Sequence, residues 1–399
     1  MVPLQIGKER TLEIFYSDLK HNIQQAAQNS DFASSLTHSL YRYPASMSPI
    51  LARQLIISLT RPGDLVLDPF CGGGTTAIES LAHGRRIICS DINSLARFVT
   101  IAKAFPPQEK TIEEFEKWIS SAIKHLESIR YLKGKPLLSR TGKKFAPKTH
   151  ALILLLRDLA NTIRNRHVRR LALLTVLKLG KLCFDCNELS PTPTYLISKL
   201  KRISIQTSIA LKTYSSECLK WPTSHDLKGS LRIFSCNATN LSSASNLKSE
   251  NISLVLTSPP YPGVHVLYNR WQIHGRSETD LPYALINISD GYGPSYYTFG
   301  DRKRLDNMKY FRDLEITFKN LLNILNSSTV VAQVISFANP CSQLSRYREL
   351  MRSAGYKELF LGSSNSTILA RKIPNRKWYK RATNNDQEAK EYIFLHRPI

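Results

Sequence analysis

The chain has 399 residues, enough for one large domain with an insertion or for two domains. Hydrophobic residues make up 42% of it, which supports a sizeable core and excludes wholesale disorder. Its 55 Lys and Arg against 31 Asp and Glu leave a net charge of +24; so large an excess points to a polyanionic partner such as DNA, against the plainer reading of a merely basic soluble protein.

No apolar stretch has the length of a transmembrane span, and the first residues show no secretory pattern. A cytoplasmic location and no membrane partner are therefore expected. The 7 cysteines, an odd count at scattered spacings, read as reduced thiols in a cytosolic setting.

In chain order, residues 1–40 read as a polar, partly helical lead-in. Ser48-Pro49 opens a helix, with Ser48 placed as its cap and Pro49 in its first turn. Arg61-Pro62-Gly63 ends that helix. A buried strand over Asp64–Asp68, a glycine turn, a helix from near Thr76 and a second strand over Arg86–Ser90 follow. This is the opening of a doubly wound α/β sheet. Residues 105–228 change character: apolar residues recur at helical spacing from Phe115 to Leu126 and again from about Thr149 to Lys181, around a basic loop at Lys133–Lys148. This segment reads as a mainly helical insertion between residues 1–104 and 229–399, which together form the α/β domain. Arg164, Arg166, Arg169 and Arg170 cluster on its second helical stretch, and they read as DNA-backbone contacts or, more plainly, as a solvated basic face. Cys183-Phe184-Asp185-Cys186 is a lone C-x-x-C with no second pair, so no metal is expected.

Strands over Leu231–Cys236 and Ile252–Leu256 resume the sheet. His265, Tyr268, Trp271 and Gln272 are spaced for one face of a short helix, and Tyr292, Tyr296, Tyr297 and Phe299 lie in a loop beyond. Tyr268 and Trp271 are DNA-contact candidates in an aromatic lid; an insertion packed by its own aromatics is the equal alternative. A helix over Tyr310–Leu325, a strand over Thr329–Phe337, a basic tip with Arg376 as a further DNA contact and a closing strand near the end complete the chain.

Two segments carry the chemistry. Ser258-Pro259-Pro260-Tyr261 ends an apolar strand at two prolines, which cannot continue a ladder. The turn frees a carbonyl and a hydroxyl beside a flat aromatic, a setting suited to a planar ring with an exocyclic amino group, such as an extruded nucleobase. Upstream, Asp68-Pro69-Phe70-Cys71-Gly72-Gly73-Gly74-Thr75-Thr76 is a strand end, glycine turn and helix start. Asp91 ends the next strand, where an acid can take both hydroxyls of a ribose. The glycines alone fit NAD as well as S-adenosylmethionine.

Together these segments resemble the DNA amino-methyltransferase family, whose members methylate cytosine N4 or adenine N6. Tyr41–Pro49 is similar to the family's cofactor-flanking block, Asp68–Thr76 to its cofactor loop and Thr257–Tyr261 to its catalytic block. The resemblance implies a Rossmann-like class I methyltransferase sheet and S-adenosylmethionine as cofactor. By position it implies Tyr43, Pro44, Asp68, Phe70, Gly72, Gly74, Thr75 and Asp91 as cofactor contacts, and Asn237 where the family more often has a carboxylate. It implies Ser258, Pro259, Pro260 and Tyr261 as the catalytic turn, DNA as substrate, and room for a cognate restriction endonuclease in the same system. Ser at the first position of the turn favours cytosine N4 over adenine N6. An RNA methyltransferase, a catalytically silent nucleic-acid-binding protein on the same scaffold and an NAD-dependent oxidoreductase remain as competing readings.

Overall fold

The structure, a computed structural model, describes residues 9–28, 36–44, 46–129, 147–186, 191–222, 227–243, 247–262, 271–273, 277–289, 308–337, 339–359, 369–372 and 390–399. His265, Tyr268, the 292–299 aromatics, most of the basic loop and Arg376 lie outside them.

Helices α1 (Glu9–Gln28) and α2 (Pro49–Leu59) lead into β1 (Leu65–Asp68), α3 (Thr75–Ala82), β2 (Arg86–Ser90) and α4 (Ser94–Ala104). Then come α5 (Glu109–Ser128), α6 (Pro147–Asn161), α7 (Arg166–Phe184), α8 (Pro193–Leu219) and the single turn α9 (Leu227–Ser230). Next are β3 (Leu231–Phe234), β4 (Ile252–Thr257), β5 (Trp271–Ile273), β6 (Ser277–Thr279), α10 (Leu281–Leu285) and α11 (Met308–Leu321). The chain closes with β7 (Val330–Ile335), α12 (Pro340–Ser353), β8 (Tyr356–Glu358), β9 (Leu369–Lys372) and β10 (Lys390–Pro398).

The main sheet runs β3-β2-β1-β4-β7-β10-β8, with β9 on the free part of β10. β3, β2, β1, β4 and β7 are parallel, and β10 is antiparallel to β7, β8 and β9. This order and the reversed strand are those of the class I S-adenosylmethionine-dependent methyltransferases. Every residue of β1 is buried, as expected of a parallel strand covered on both faces. Successive residues point to opposite faces. Val66 joins Leu55, Ile78 and Leu254 in the core under α2 and α3, and Leu67 joins Val255, Phe318 and Tyr347 in the core under α11 and α12.

Helices α5 to α8 pack around Phe115, Leu156, Leu174 and Leu196. The stretch expected as one helix is two, α6 and α7, because Asn165 interrupts it and caps α7 by accepting the His167 N–H. Pro49 takes its expected place in the first turn of α2, but the Ser48 side chain makes no cap bond.

The chain goes from β1 outward through β2 and β3, then returns to the other side of β1 as β4. The carboxyl ends of β1 and β4 therefore flank the point where strand order reverses, which is where open α/β sheets bind ligands.

Candidate active site

The glycine loop follows β1. Gly72 and Gly74 have φ of 48° and 80°, left-handed values that glycine adopts without strain. The loop also lies directly on its supports: a Cβ on Gly73 would meet the Tyr43 Cβ at 2.7 Å, and one on Gly74 would meet Thr100 at 2.9 Å. Tyr43 is buried under the loop, and its hydroxyl accepts from Asn93 Nδ2 at 3.1 Å. Thr75 is buried at the start of α3, whereas Pro44 and Phe70 are half-buried. From α4, Lys103 reaches beneath the loop. Its Nζ donates to the Gly73 carbonyl at 2.9 Å and to the Tyr41 carbonyl at 3.4 Å, and burial pulls its ammonium down to about 7.

The two strand-end acids differ. Asp68 Oδ1 accepts from the Thr257 hydroxyl at 2.8 Å and the Phe70 N–H at 3.1 Å, and Oδ2 accepts from the Thr76 hydroxyl at 2.6 Å. It is 3% exposed. Its carboxylate is engaged inside the protein, where it ties β1 to α3 and to the end of β4. Asp91 takes the Gly72 N–H at 2.9 Å on Oδ2 and the Asn93 N–H at 2.8 Å on Oδ1. It is partly exposed, and each oxygen retains acceptor capacity. Burial pushes both carboxyls up to about 6, against the opposing hydrogen bonds. An under-compensated carboxylate beside a glycine loop suits a vicinal diol, which brings two donors. The strand-end acid, the left-handed glycines and half-buried Phe70 therefore fit an adenosyl cofactor, S-adenosylmethionine.

Across the crevice, β4 ends in the proline turn. Ser258 is half-buried, and its hydroxyl donates to the Tyr261 oxygen at 3.2 Å. The Tyr261 hydroxyl in turn donates to Glu391 Oε1 on β10 at 2.9 Å. Glu391 Oε2 is held by Arg371 of β9, with Nε at 2.6 Å. Pro259 is buried and Pro260 half-buried. The Tyr261 ring is 8% exposed and packs with Phe337 and Tyr392 in the core under α11 and α12. The ring is a largely buried wall whose phenol is anchored on Glu391.

Asn237 lies just past β3, at the third of the adjacent strand ends, and its side chain accepts from the Thr239 N–H at 3.2 Å. The arginines are not gathered here. Arg164 and Arg166 are exposed and Arg169 and Arg170 half-buried. His167 stacks on Phe105 at 3.8 Å, and Phe105 follows the last residue of α4, whereas Asn93 by Asp91 caps its first. The cluster is thus a helix length, about 16 Å, from the crevice. Burial lowers the pKa of Arg170, and the like charges of Arg166 and Arg169 add to it.

Trp271 corrects an expectation. It lies on β5, which pairs with β6, rather than on a helix. It is 2% exposed, with its indole N–H donating to the Tyr41 hydroxyl at 3.3 Å. Gly180 of α7 makes room for the ring. Trp271 therefore joins the helical core and presents no face to DNA. Tyr268 and Arg376 lie outside the described residues. Cys183 is buried and Cys186 exposed. Among the described residues, no three His, Cys, Asp or Glu side chains are grouped to hold a metal ion, and no helix is long and apolar enough to cross a membrane.

Sequence reasoning missed Lys103, Asn93 and the Arg371–Glu391 pair. Asn93 could have been found, since an Asn two residues past a strand-end acid and just before an apolar helix is a cap signal. A lone Lys in an apolar helix and an acid in a closing strand carry no such signal.

Residues 7–104 match the family described as DNA methylase, the N6 and N4 class. Over 99 residues, 24% of this chain and 20% of the relative, the sequence is 39% identical to the Type II methyltransferase M.MvaI of Kocuria varians. Over 52 residues it is 48% identical to a tRNA (guanine(10)-N2)-dimethyltransferase of Methanothermobacter thermautotrophicus, covering 13% of this chain and 16% of that one. It is 40% identical over 52 residues to the DNA adenine methyltransferase YhdJ of Escherichia coli, covering 13% of this chain and 18% of that one. The matched stretches thus span about a fifth or less of each of these relatives. Residues 7–104, the segment that builds the glycine loop and the Asp91 corner, thus carry the similarity to the DNA amino-methyltransferase family.

Proposed function

We propose that the protein transfers a methyl group from S-adenosylmethionine to the exocyclic amino group of a base extruded from DNA, and that the base is cytosine and the atom N4. The observation that carries this reading is the seating of the Ser258 turn against the glycine loop through the Thr257–Asp68 hydrogen bond of 2.8 Å. That contact sets an amine-accepting corner beside a cofactor cradle.

When bound, S-adenosylmethionine supplies an electrophilic methyl carbon whose sulfur leaves with the bonding pair. Tyr43, Pro44, Phe70, Gly72, Gly74, Thr75, Asp91 and Asn237 would hold it, with Asp91 on the ribose hydroxyls. The difficulty lies with the nucleophile, because the lone pair of an aryl amine is delocalised into its ring. The Ser258 hydroxyl oxygen and the Pro259 carbonyl accept hydrogen bonds from the amino group and favour a pyramidal nitrogen with a directed lone pair; the proton that the methylated nitrogen must shed goes to solvent water. Pro259 and Pro260 keep these acceptors fixed, so the catalytic gain is positioning and preset dipoles. The edge of Tyr261 borders the base. Arg164, Arg166, Arg169 and Arg170 take phosphates of the same duplex away from the crevice. Ser at the head of the turn favours cytosine N4. Adenine N6 is the second reading, motivated by the similarity to an enzyme named for adenine.

Incubating the protein with labelled S-adenosylmethionine and either unmethylated plasmid DNA or bulk tRNA, followed by nucleoside chromatography, tests the reading. N4-methylcytosine in DNA is expected. N6-methyladenine alone would move the base assignment, and label confined to tRNA would overturn DNA as substrate.

A further inference from the structure

We infer that Glu391, 130 residues from Tyr261 in sequence, is a positioning residue that fixes the Ser258 hydroxyl as a pure hydrogen-bond acceptor toward the substrate. The inference rests on the amino-methyltransfer reading and deepens it.

The argument counts protons. A carboxylate only accepts hydrogen bonds. Glu391 is 1% exposed and ion-paired with Arg371, itself 5% exposed, so its charge is matched inside the protein. Its Oε1 takes the hydroxyl proton of Tyr261 at 2.9 Å. A phenol has one proton, so toward Ser258 the Tyr261 oxygen can only accept. The Ser258 proton must then point inward along the 3.2 Å contact, and the Ser258 oxygen turns only lone pairs outward. Burial strengthens the inner links from Tyr261 to Glu391 and Arg371, since water does not compete there.

An unconstrained serine is both donor and acceptor and would accommodate a carbonyl as well as an amine. An aspartate at this place is acceptor-only through its own charge. Here the buried Arg371–Glu391 pair confers the same polarity on a neutral serine. An exocyclic amine offers the donor such an oxygen needs. A ring carbonyl, such as thymine O4 or guanine O6, would set lone pairs against lone pairs. Sites of fixed hydrogen-bond polarity discriminate strongly in this way.

The test uses the full chain, unmethylated plasmid DNA and S-adenosylmethionine, with two variants. Tyr261→Phe keeps the ring and the Arg371–Glu391 pair but frees the Ser258 proton. Glu391→Gln puts an amide that can donate opposite Tyr261. Both are expected to lower kcat about 10- to 100-fold, the range for one misdirected polar contact, while KM for DNA and the calorimetric Kd for S-adenosylmethionine change less than about threefold. Wild-type kcat in Tyr261→Phe would overturn the inference, even if Glu391→Gln failed to fold. So would a Glu391→Gln defect shared equally by kcat, cofactor binding and thermal stability, with Tyr261→Phe unaffected. A wild-type protein that methylates neither DNA nor RNA would remove the functional reading first, an outcome distinct from both.

Discussion

The Thr257 hydroxyl donates to Oδ1 of Asp68 at 2.8 Å across 189 residues of sequence. Thr257 ends β4 and precedes the proline turn; Asp68 ends β1 and precedes the glycine loop. One buried hydrogen bond therefore registers the proline turn against the glycine loop. Replacing Thr257 by Val keeps the shape and removes the donor, leaving a buried carboxylate with one partner fewer. Such losses cost about 1–3 kcal/mol. Urea unfolding should show a destabilisation in that range, and kcat should fall with it, because the two halves of the site lose their register.

With Asp91 on the ribose hydroxyls, as proposed, its titration is expected to set a pH limit on cofactor binding. Burial raises its carboxyl to about 6, and ribose hydroxyls would donate to its ionised form. Affinity is then fully present above the folded pKa and is lost as pH falls through it, approaching about tenfold per pH unit once the acid is protonated. Calorimetric titration of S-adenosylmethionine from pH 7.5 to about 5 checks this. Asp68 also titrates near 6, so the assignment rests on Asp91→Asn, which should bind weakly throughout and flatten the profile.

Lys103 separates stability from binding. Its ammonium is buried and held by two carbonyls, so replacement by Met removes a costly buried cation. Stability should stay the same or rise. The Gly73 carbonyl loses its donor, however, and the loop its brace. The Kd for S-adenosylmethionine should weaken about tenfold, the scale of one charged hydrogen bond. Thermal melting and calorimetry on the same samples read both effects.

The arginines at the start of α7 should act on DNA affinity and leave the chemical step alone. Arg166 and Arg170 lie away from the crevice, and the like charges of Arg166 and Arg169 act on Arg170. Changing both to Ala should reduce the slope of log K against log salt by about 2. The single-turnover rate at saturating DNA should stay at the wild-type value. Fluorescence anisotropy with a labelled duplex across a salt series measures the slope.

The parts of the site legible in sequence are those whose chemistry is local. Three consecutive glycines after a buried strand, and two prolines at the end of another, state their backbone geometry within a few residues. The place of Asp91 at the crevice was legible because strand ends meet there in a doubly wound sheet. Contacts made by tertiary folding were not legible. Glu391 and Arg371 meet Tyr261 only because β10 inserts antiparallel beside β7 and pairs with β9. Asp68 has the sequence position of a ligand acceptor, but the hydroxyls that consume it come from α3 and β4. Trp271 read as part of an aromatic lid because it is spaced with His265 and Tyr268 for one helical face; its pocket is made by Gly180 and Tyr41. The arginine cluster declared its charge but not its direction, and α4 carries it away from the crevice.

The central claim is that the Ser258 corner accepts an amine beside a cofactor cradle. Its most direct test is quantitative nucleoside analysis of unmethylated plasmid DNA after incubation with S-adenosylmethionine and either the wild-type protein or the Ser258→Ala, Tyr261→Ala double variant. The account predicts N4-methylcytosine from the wild type and at least about a hundredfold less from the variant, the scale set by losing preset polar contacts at the reacting group. Equal methylation by both proteins would contradict it.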